Sequence, residues 1–121
     1  MKIDPKTFEG FSRVLTGVVV PRPIALVSTK SADGIVNLAP FSFFNAVAYN
    51  PPTIIFSSSR RAGDEGAKTK DTLANIEATG EFVIAVVVDE IAEAMNRTAA
   101  EYPAEVNEFE IAGLTEAPAD I

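Results

Sequence analysis

A chain of 121 residues with 47% hydrophobic and 22% charged residues is long enough for one globular domain and too apolar for a disordered tract. Its formal net charge of −7 argues against nucleic-acid binding, which rests on positive charge facing phosphates. The absence of both cysteine and histidine excludes disulfides, Ser-His-Asp and Cys-His hydrolysis, and the common thiolate and imidazole metal sites. A chain with neither can still be an enzyme if a cofactor carries the hard chemistry, so cofactor-dependent catalysis and plain binding are the two readings. No apolar run reaches membrane-spanning length, and the N-terminal residues lack a signal-peptide core, so a cytoplasmic protein with no membrane contact is expected. Charge is unevenly spread: nine Lys/Arg face five Asp/Glu up to Lys70, and one faces twelve beyond it.

In chain order, Asp4-Pro5 reads as an N-cap followed by proline at the first helical position, with Phe8, Phe11 and Leu15 at helical spacing and a stop near Gly17. Pro21-Arg22-Pro23 forces an extended path into a buried strand over residues 24–29. Ala32-Asp33-Gly34 then supplies a hairpin turn, and the chain returns as a partner strand from Ile35. The segment Asn37-Leu38-Ala39-Pro40-Phe41-Ser42-Phe43-Phe44-Asn45 is unusual for a strand. Pro40 removes a ladder donor, which excludes an ordinary central strand and marks where the chain would leave the ladder. Amides and a hydroxyl beside phenylalanines suit a pocket for a planar, polar-edged heterocycle; a bulged edge strand burying the phenylalanines in a core is the other reading.

Residues 44–49 form an expected third strand ended by Asn50-Pro51-Pro52, and residues 53–57 a fourth. Ser57-Ser58-Ser59-Arg60-Arg61, followed by Lys68, Lys70, Asp71 and Thr72, is a candidate phosphate-holding cluster, since arginine forks pair with phosphate oxygens and a helix starting near Asp71 would aim free N–H groups at the same anion. A polar loop with solvated arginines is the alternative. A patternless loop follows at residues 62–66. Residues 71–80 read as a helix capped by Thr69 or Asp71 and closed by Gly80. Residues 81–88 read as a long buried strand, and a helix from Asp89 should turn Ile91, Ala94 and Met95 inward. Beyond Arg97 the pattern weakens. Asp64-Glu65 and Glu108-Phe109-Glu110 are adjacent acids of the kind that usually face solvent on loops, so no metal site is expected. Strands joined by short turns argue for a mainly β, α+β fold: an antiparallel sheet or barrel with peripheral helices, in a single domain over residues 1–121. Neither GxGxxG nor GxxxxGK[ST] is present.

Pro21-Arg22-Pro23-Ile24-Ala25-Leu26-Val27-Ser28-Thr29, the segment at residues 37–45, Asn50-Pro51-Pro52, Lys70-Asp71-Thr72 with Asn75-Ile76, Thr79-Gly80-Glu81-Phe82-Val83, and Glu108-Phe109 with Ala112-Gly113-Leu114 together resemble the flavin reductase-like family, whose members bind FMN on an antiparallel split β-barrel. The resemblance covers nearly the whole chain in order. It implies that Asn37, Ala39, Pro40, Phe41, Ser42 and Asn45 meet the isoalloxazine, partly through backbone groups. It also implies that Ser57, Ser59, Arg60, Lys70 and Thr72 lie near the ribityl chain and phosphate. FMN is the implied cofactor, with FAD as the alternative flavin, and NAD(P)H the implied cosubstrate. A homodimer and a flavin-dependent partner enzyme, a free acceptor or oxygen as electron acceptor complete the picture. Family domains usually continue further, so the chain is expected to be a truncated domain lacking strands that complete the barrel. Hydride transfer from reduced nicotinamide to flavin needs no protein acid or base, and no catalytic side chain is assigned. The rival readings are a non-enzymatic FMN electron carrier and a cofactor-free interaction fragment of the same fold.

Overall fold

Two antiparallel sheets organise the computed structural model, which describes residues 3–58 and 69–119. Strands β1 (Ala25–Lys30), β2 (Val36–Phe41) and β5 (Val83–Val86) form a sheet in the order β2-β1-β5. Strands β3 (Phe44–Tyr49) and β4 (Pro52–Phe56) form a separate hairpin. Around them lie α1 (Phe11–Val18), α2 (Asp71–Thr79), α3 (Ala92–Arg97) and α4 (Glu108–Ala112). The expected antiparallel α+β architecture with peripheral helices is present, and the described strands do not close into a barrel.

The β1–β2 hairpin is set by its turn. Gly34 sits at φ 87°, a conformation that favours glycine, and its N–H donates to the Ser31 carbonyl at 2.9 Å. The resulting register pairs Lys30 with Val36, Thr29 with Asn37, Val27 with Ala39 and Ala25 with Phe41. Because side chains alternate along a strand, Ala25, Val27, Thr29, Asn37, Ala39 and Phe41 share one face. Its apolar end is the core: Ala25, Val27 and Phe41 are buried, with Ala39, Phe44, Phe56 and Ile84 packed against them. Its polar end, at Thr29 and Asn37, lies under α2.

Pro40 does not end the ladder, contrary to expectation. Pairing continues through Pro40 with Leu26 and on to Phe41 with Ala25. The reason is geometric: the Leu38 N–H points away from β1, to Glu108, and Pro40, two residues on, turns its nitrogen to the same outer side. Proline costs the sheet nothing on an edge strand facing outward, so the edge-strand expectation holds while the departure from the ladder does not. The irregularity sits elsewhere, in the β3–β4 hairpin, where the register shifts between Ala46 and Ala48.

Four other expectations need correction. The helix anticipated from Pro5 starts at Phe11; Asp4 instead closes one turn, accepting Lys6 N–H on Oδ1 and Phe8 N–H on its carbonyl, and Gly10 at φ 83° interrupts before α1. Lys70 occupies the N-cap position of α2 with no side-chain cap, so neither Thr69 nor Asp71 caps it. The strand expected over residues 81–88 is the four-residue β5, with Val83 45% and Val86 60% exposed. It pairs with β1 alone, and no described element covers its other edge. Finally, Glu108 and Glu110 stand on the helix α4, not on a loop. By contrast, Ile91, Ala94 and Met95 are half-buried as expected, and Gly80 closes α2 at φ 76° with its N–H on the Ile76 carbonyl.

Candidate functional site

Beside the core, at the polar end of the sheet, five side chains from four elements form one buried hydrogen-bonded cluster: Thr29, Asn37, Thr72, Asn75 and Glu108. The hairpin register places Thr29 opposite Asn37, and helical periodicity puts Thr72 and Asn75, three residues apart, on the same face of α2. Glu108 is delivered by α4, whose N-cap Asn107 accepts the Phe109 N–H at 2.9 Å. The Thr72 hydroxyl donates to Asn37 Oδ1 at 2.8 Å, and Asn37 Nδ2 donates to Glu108 Oε1 at 3.0 Å. The second carboxylate oxygen, Oε2, accepts the Leu38 N–H at 3.0 Å, while Asn75 Nδ2 donates to the Thr29 hydroxyl at 3.0 Å. A carboxylate only 7% exposed is costly unless its oxygens are hydrogen-bonded, and here both are.

Above this cluster lies a cavity of about 150 Å³. It gathers five of the expected site residues, Asn37, Ala39, Pro40, Lys70 and Thr72. The segment after α3 closes it with Thr98, Glu101 and Tyr102. Asn37 and Thr72 are spent on each other and on Glu108, so they build the wall. Lys70 is the cation on the lining, against carboxylates of Asp71, Glu101 and Glu108. Its ammonium lies 5.4 Å from the centre of the Phe41 ring. Immediately after Lys70 the first N–H groups of α2 have no intrahelical partner and no capping side chain, which leaves an anion-compatible end.

The remaining expected residues lie along the bend from β2 into the second hairpin. Phe41 is 4% exposed and stacks tilted on Phe56 at 5.0 Å, so its ring belongs to the core. Ser42 is half-buried in the bend. Asn45 is exposed, its Oδ1 accepting the Ala46 N–H at 2.9 Å. Ser57 continues the hairpin, its N–H donating to the Phe43 carbonyl at 2.9 Å. The Arg22 guanidinium sits 5.4 Å from the Phe43 ring centre and donates through Nη1 to the carbonyls of Thr16 and Val19. Next along the chain, the buried Ser58 hydroxyl has no partner among the described residues. Ser59 and Arg60, with Arg61, Lys68 and the loop expected at residues 62–66, lie outside the described residues.

A larger cavity, about 590 Å³, is bounded by Ser28, Lys30, Phe82, Phe109 and Pro118 and touches none of the expected residues. Volume alone would favour it; the smaller one gathers the expected residues and sets its cation, Lys70, at an uncapped helix start. At about 150 Å³ the smaller cavity lies below the roughly 300–1,000 Å³ of a drug-sized ligand pocket. A cavity of that size takes in only part of such a ligand. Sequence reading missed Thr29, Asn75 and Glu108. A signal for the short helix was there, in Asn107 as a cap and Gly113 as its stop, but it does not single out Glu108.

A family model described as a flavin reductase like domain matches residues 17–121. An uncharacterized protein of Aquifex aeolicus is 52% identical over 103 residues, which cover 85% of this chain and 51% of that protein. Component B of nitrilotriacetate monooxygenase from Bacillus cereus superposes with a TM-score of 0.88 at 37% identity, covering 100% of this chain and 59% of its own. A Shewanella frigidimarina protein described as having a split barrel domain superposes at 0.72 with 26% identity, over 99% of this chain and 60% of its own. The chain spans about half the length of the curated relatives it matches. With the family pattern running from Gly17 to the last residue, on antiparallel sheets that superpose on those of its relatives, the chain belongs to the flavin reductase like domain family.

Proposed function

We propose that this chain is the FMN-binding part of an oxidoreductase that takes electrons from a reduced nicotinamide nucleotide. The single observation that carries the reading is Lys70 at the uncapped start of α2, beside the outer edge of β2 at Pro40, in a chain of this family. Lys70 and the free N–H groups of α2 would hold the phosphate, assisted by Ser57, Ser59 and Arg60. Ser42 and the backbone of the β2–β3 bend would hydrogen-bond the ring edge, and Asn45 would lie at its border. Phe41, buried beneath the Lys70 ammonium, fixes where that charge stands. The carboxylates of Asp71 and Glu101 on the same lining restrict the anion to the Lys70 side, while the Glu108 carboxylate is engaged by Asn37 and Leu38.

Flavin, when bound, supplies a ring that accepts hydride and stores electrons. The chain's own contribution is to orient that ring and to leave one face open to a nicotinamide, a proximity effect that needs no protein proton carrier. NAD(P)H as donor, a flavin-dependent partner enzyme or another acceptor, homodimeric assembly and a cytoplasmic setting belong to the same proposal. Among the described residues no helix is long and apolar enough to cross a membrane.

The test is anaerobic addition of NADH or NADPH to the protein loaded with FMN, with FAD loaded in parallel. The visible flavin band should bleach with at least one nucleotide. Colour that persists with both rejects the reductase reading and leaves an electron carrier. Protein that takes up neither flavin rejects both and leaves an interaction module.

A further inference from the structure

Glu108 takes no part in the flavin contacts proposed above, yet it is buried, carries two hydrogen bonds and is separated by 70 and 71 residues from the groups it holds. A carboxylate oxygen of this kind accepts, so the Asn37 amide must turn its NH2 toward Glu108 and its oxygen toward the hydroxyls of Thr72 and Thr29. Thr72 lies in the first turn of α2, two residues after Lys70. Its bond to Asn37 ties that turn to β2. The order Glu108 to Asn37 to Thr72 thus ends at the helix start where Lys70 stands.

We propose that Glu108 is a positioning residue for the phosphate contact: by fixing the Asn37 amide it sets the place of Lys70 and the free N–H groups of α2. The proposal rests on the flavin reading above. It separates Glu108 from a simple clamp between α4 and β2, because a clamp has no reason to act on one end of the ligand. Glu108→Gln discriminates. Glutamine keeps an acceptor for the Leu38 N–H but sets its own NH2 against that of Asn37. The Asn37 amide must then turn, and the Thr72 hydroxyl loses its acceptor.

FMN and riboflavin, which differ by the phosphate, are titrated by fluorescence quenching against the wild-type chain, Glu108→Gln and the exposed control Glu110→Gln. Glu108→Gln should weaken FMN about tenfold and riboflavin less than about twofold, with Glu110→Gln changing neither. Hydrogen exchange on the ligand-free chain should quicken at the Leu73 and Ala74 amides, which bond the Lys70 carbonyl, and not at Val27. If Glu108→Gln does not fold, Thr72→Val should reproduce the FMN-selective loss and Thr72→Ser should avoid it. Equal losses for both ligands, or wild-type FMN affinity in folded Glu108→Gln, overturn the proposal. A wild-type chain that binds neither flavin rejects the proposed function instead. The exchange then decides the positioning step: quickened Leu73 and Ala74 support it and unchanged ones refute it.

Discussion

Phe41 and Lys70 show how a core residue and a ligand residue are coupled at the scale of single side chains. The Phe41 ring packs on Phe56 and lies under the Lys70 ammonium, so the charge is held over an apolar floor. Phe41→Ala should cost about 3–5 kcal/mol in a urea unfolding series, through lost burial and the cavity left behind. Lys70→Ala removes a half-buried cation with little packing of its own, so its stability change should stay within about 0.5–1 kcal/mol. Its FMN affinity should nevertheless fall about tenfold, measured by fluorescence titration. Wild-type FMN affinity in Lys70→Ala would remove the phosphate assignment. The sequence made Lys70 legible, since a cation followed by Asp71-Thr72 at a helix start is a local pattern. Glu108 was not legible in the same way. Its neighbours Glu105 and Glu110 are exposed, and only the fold brings it to Asn37 and Leu38.

Elements follow from local rules where neighbours along the chain decide them and depart where distant partners do. The β1–β2 hairpin was readable from Gly34 and the flanking apolar runs, and β3 was readable residue for residue. The long strand over residues 81–88 was not, because an apolar run looks alike whether both faces or one are covered. Pro40 was half readable: its chemistry demanded an outward nitrogen, and the register shows that this leaves the ladder whole. Pro40→Ala should therefore shift stability by no more than about 0.5–1 kcal/mol in urea unfolding, since no ladder bond is gained or lost. A large stabilisation would mean that the proline strains β2. Gly80→Ala should act the other way. Alanine at φ 76° pays about 1–2 kcal/mol for a left-handed backbone, with open space around the new methyl, so the loss is conformational and not steric.

At the scale of the molecule, the uncovered surfaces of the second hairpin and of β5 are the strongest statement about how the chain works. Tyr49 is 94% exposed, Ile55 53% and Val86 60%. Val86 belongs to an edge strand whose outer side has no described partner, which is a template for association. Apolar side chains gathered on two edges are a known mark of protein–protein contact, whereas isolated ones carry no such meaning. The family resemblance implies a homodimer, and we propose these surfaces as the place to test it. Sedimentation velocity over a concentration series should show self-association of the wild-type chain. Ile55→Lys combined with Val86→Lys should reduce it while leaving the far-ultraviolet dichroism unchanged, because both side chains already face solvent in the single chain. FMN affinity, measured on the same samples, then tells whether the site is complete within one chain. An affinity that falls as the association is lost means that a second copy helps to hold the ring. An affinity that stays unchanged means that the Lys70 side and the β2–β3 bend suffice. A wild-type chain that sediments as a monomer at every concentration would refute the homodimer and leave these edges to a different partner.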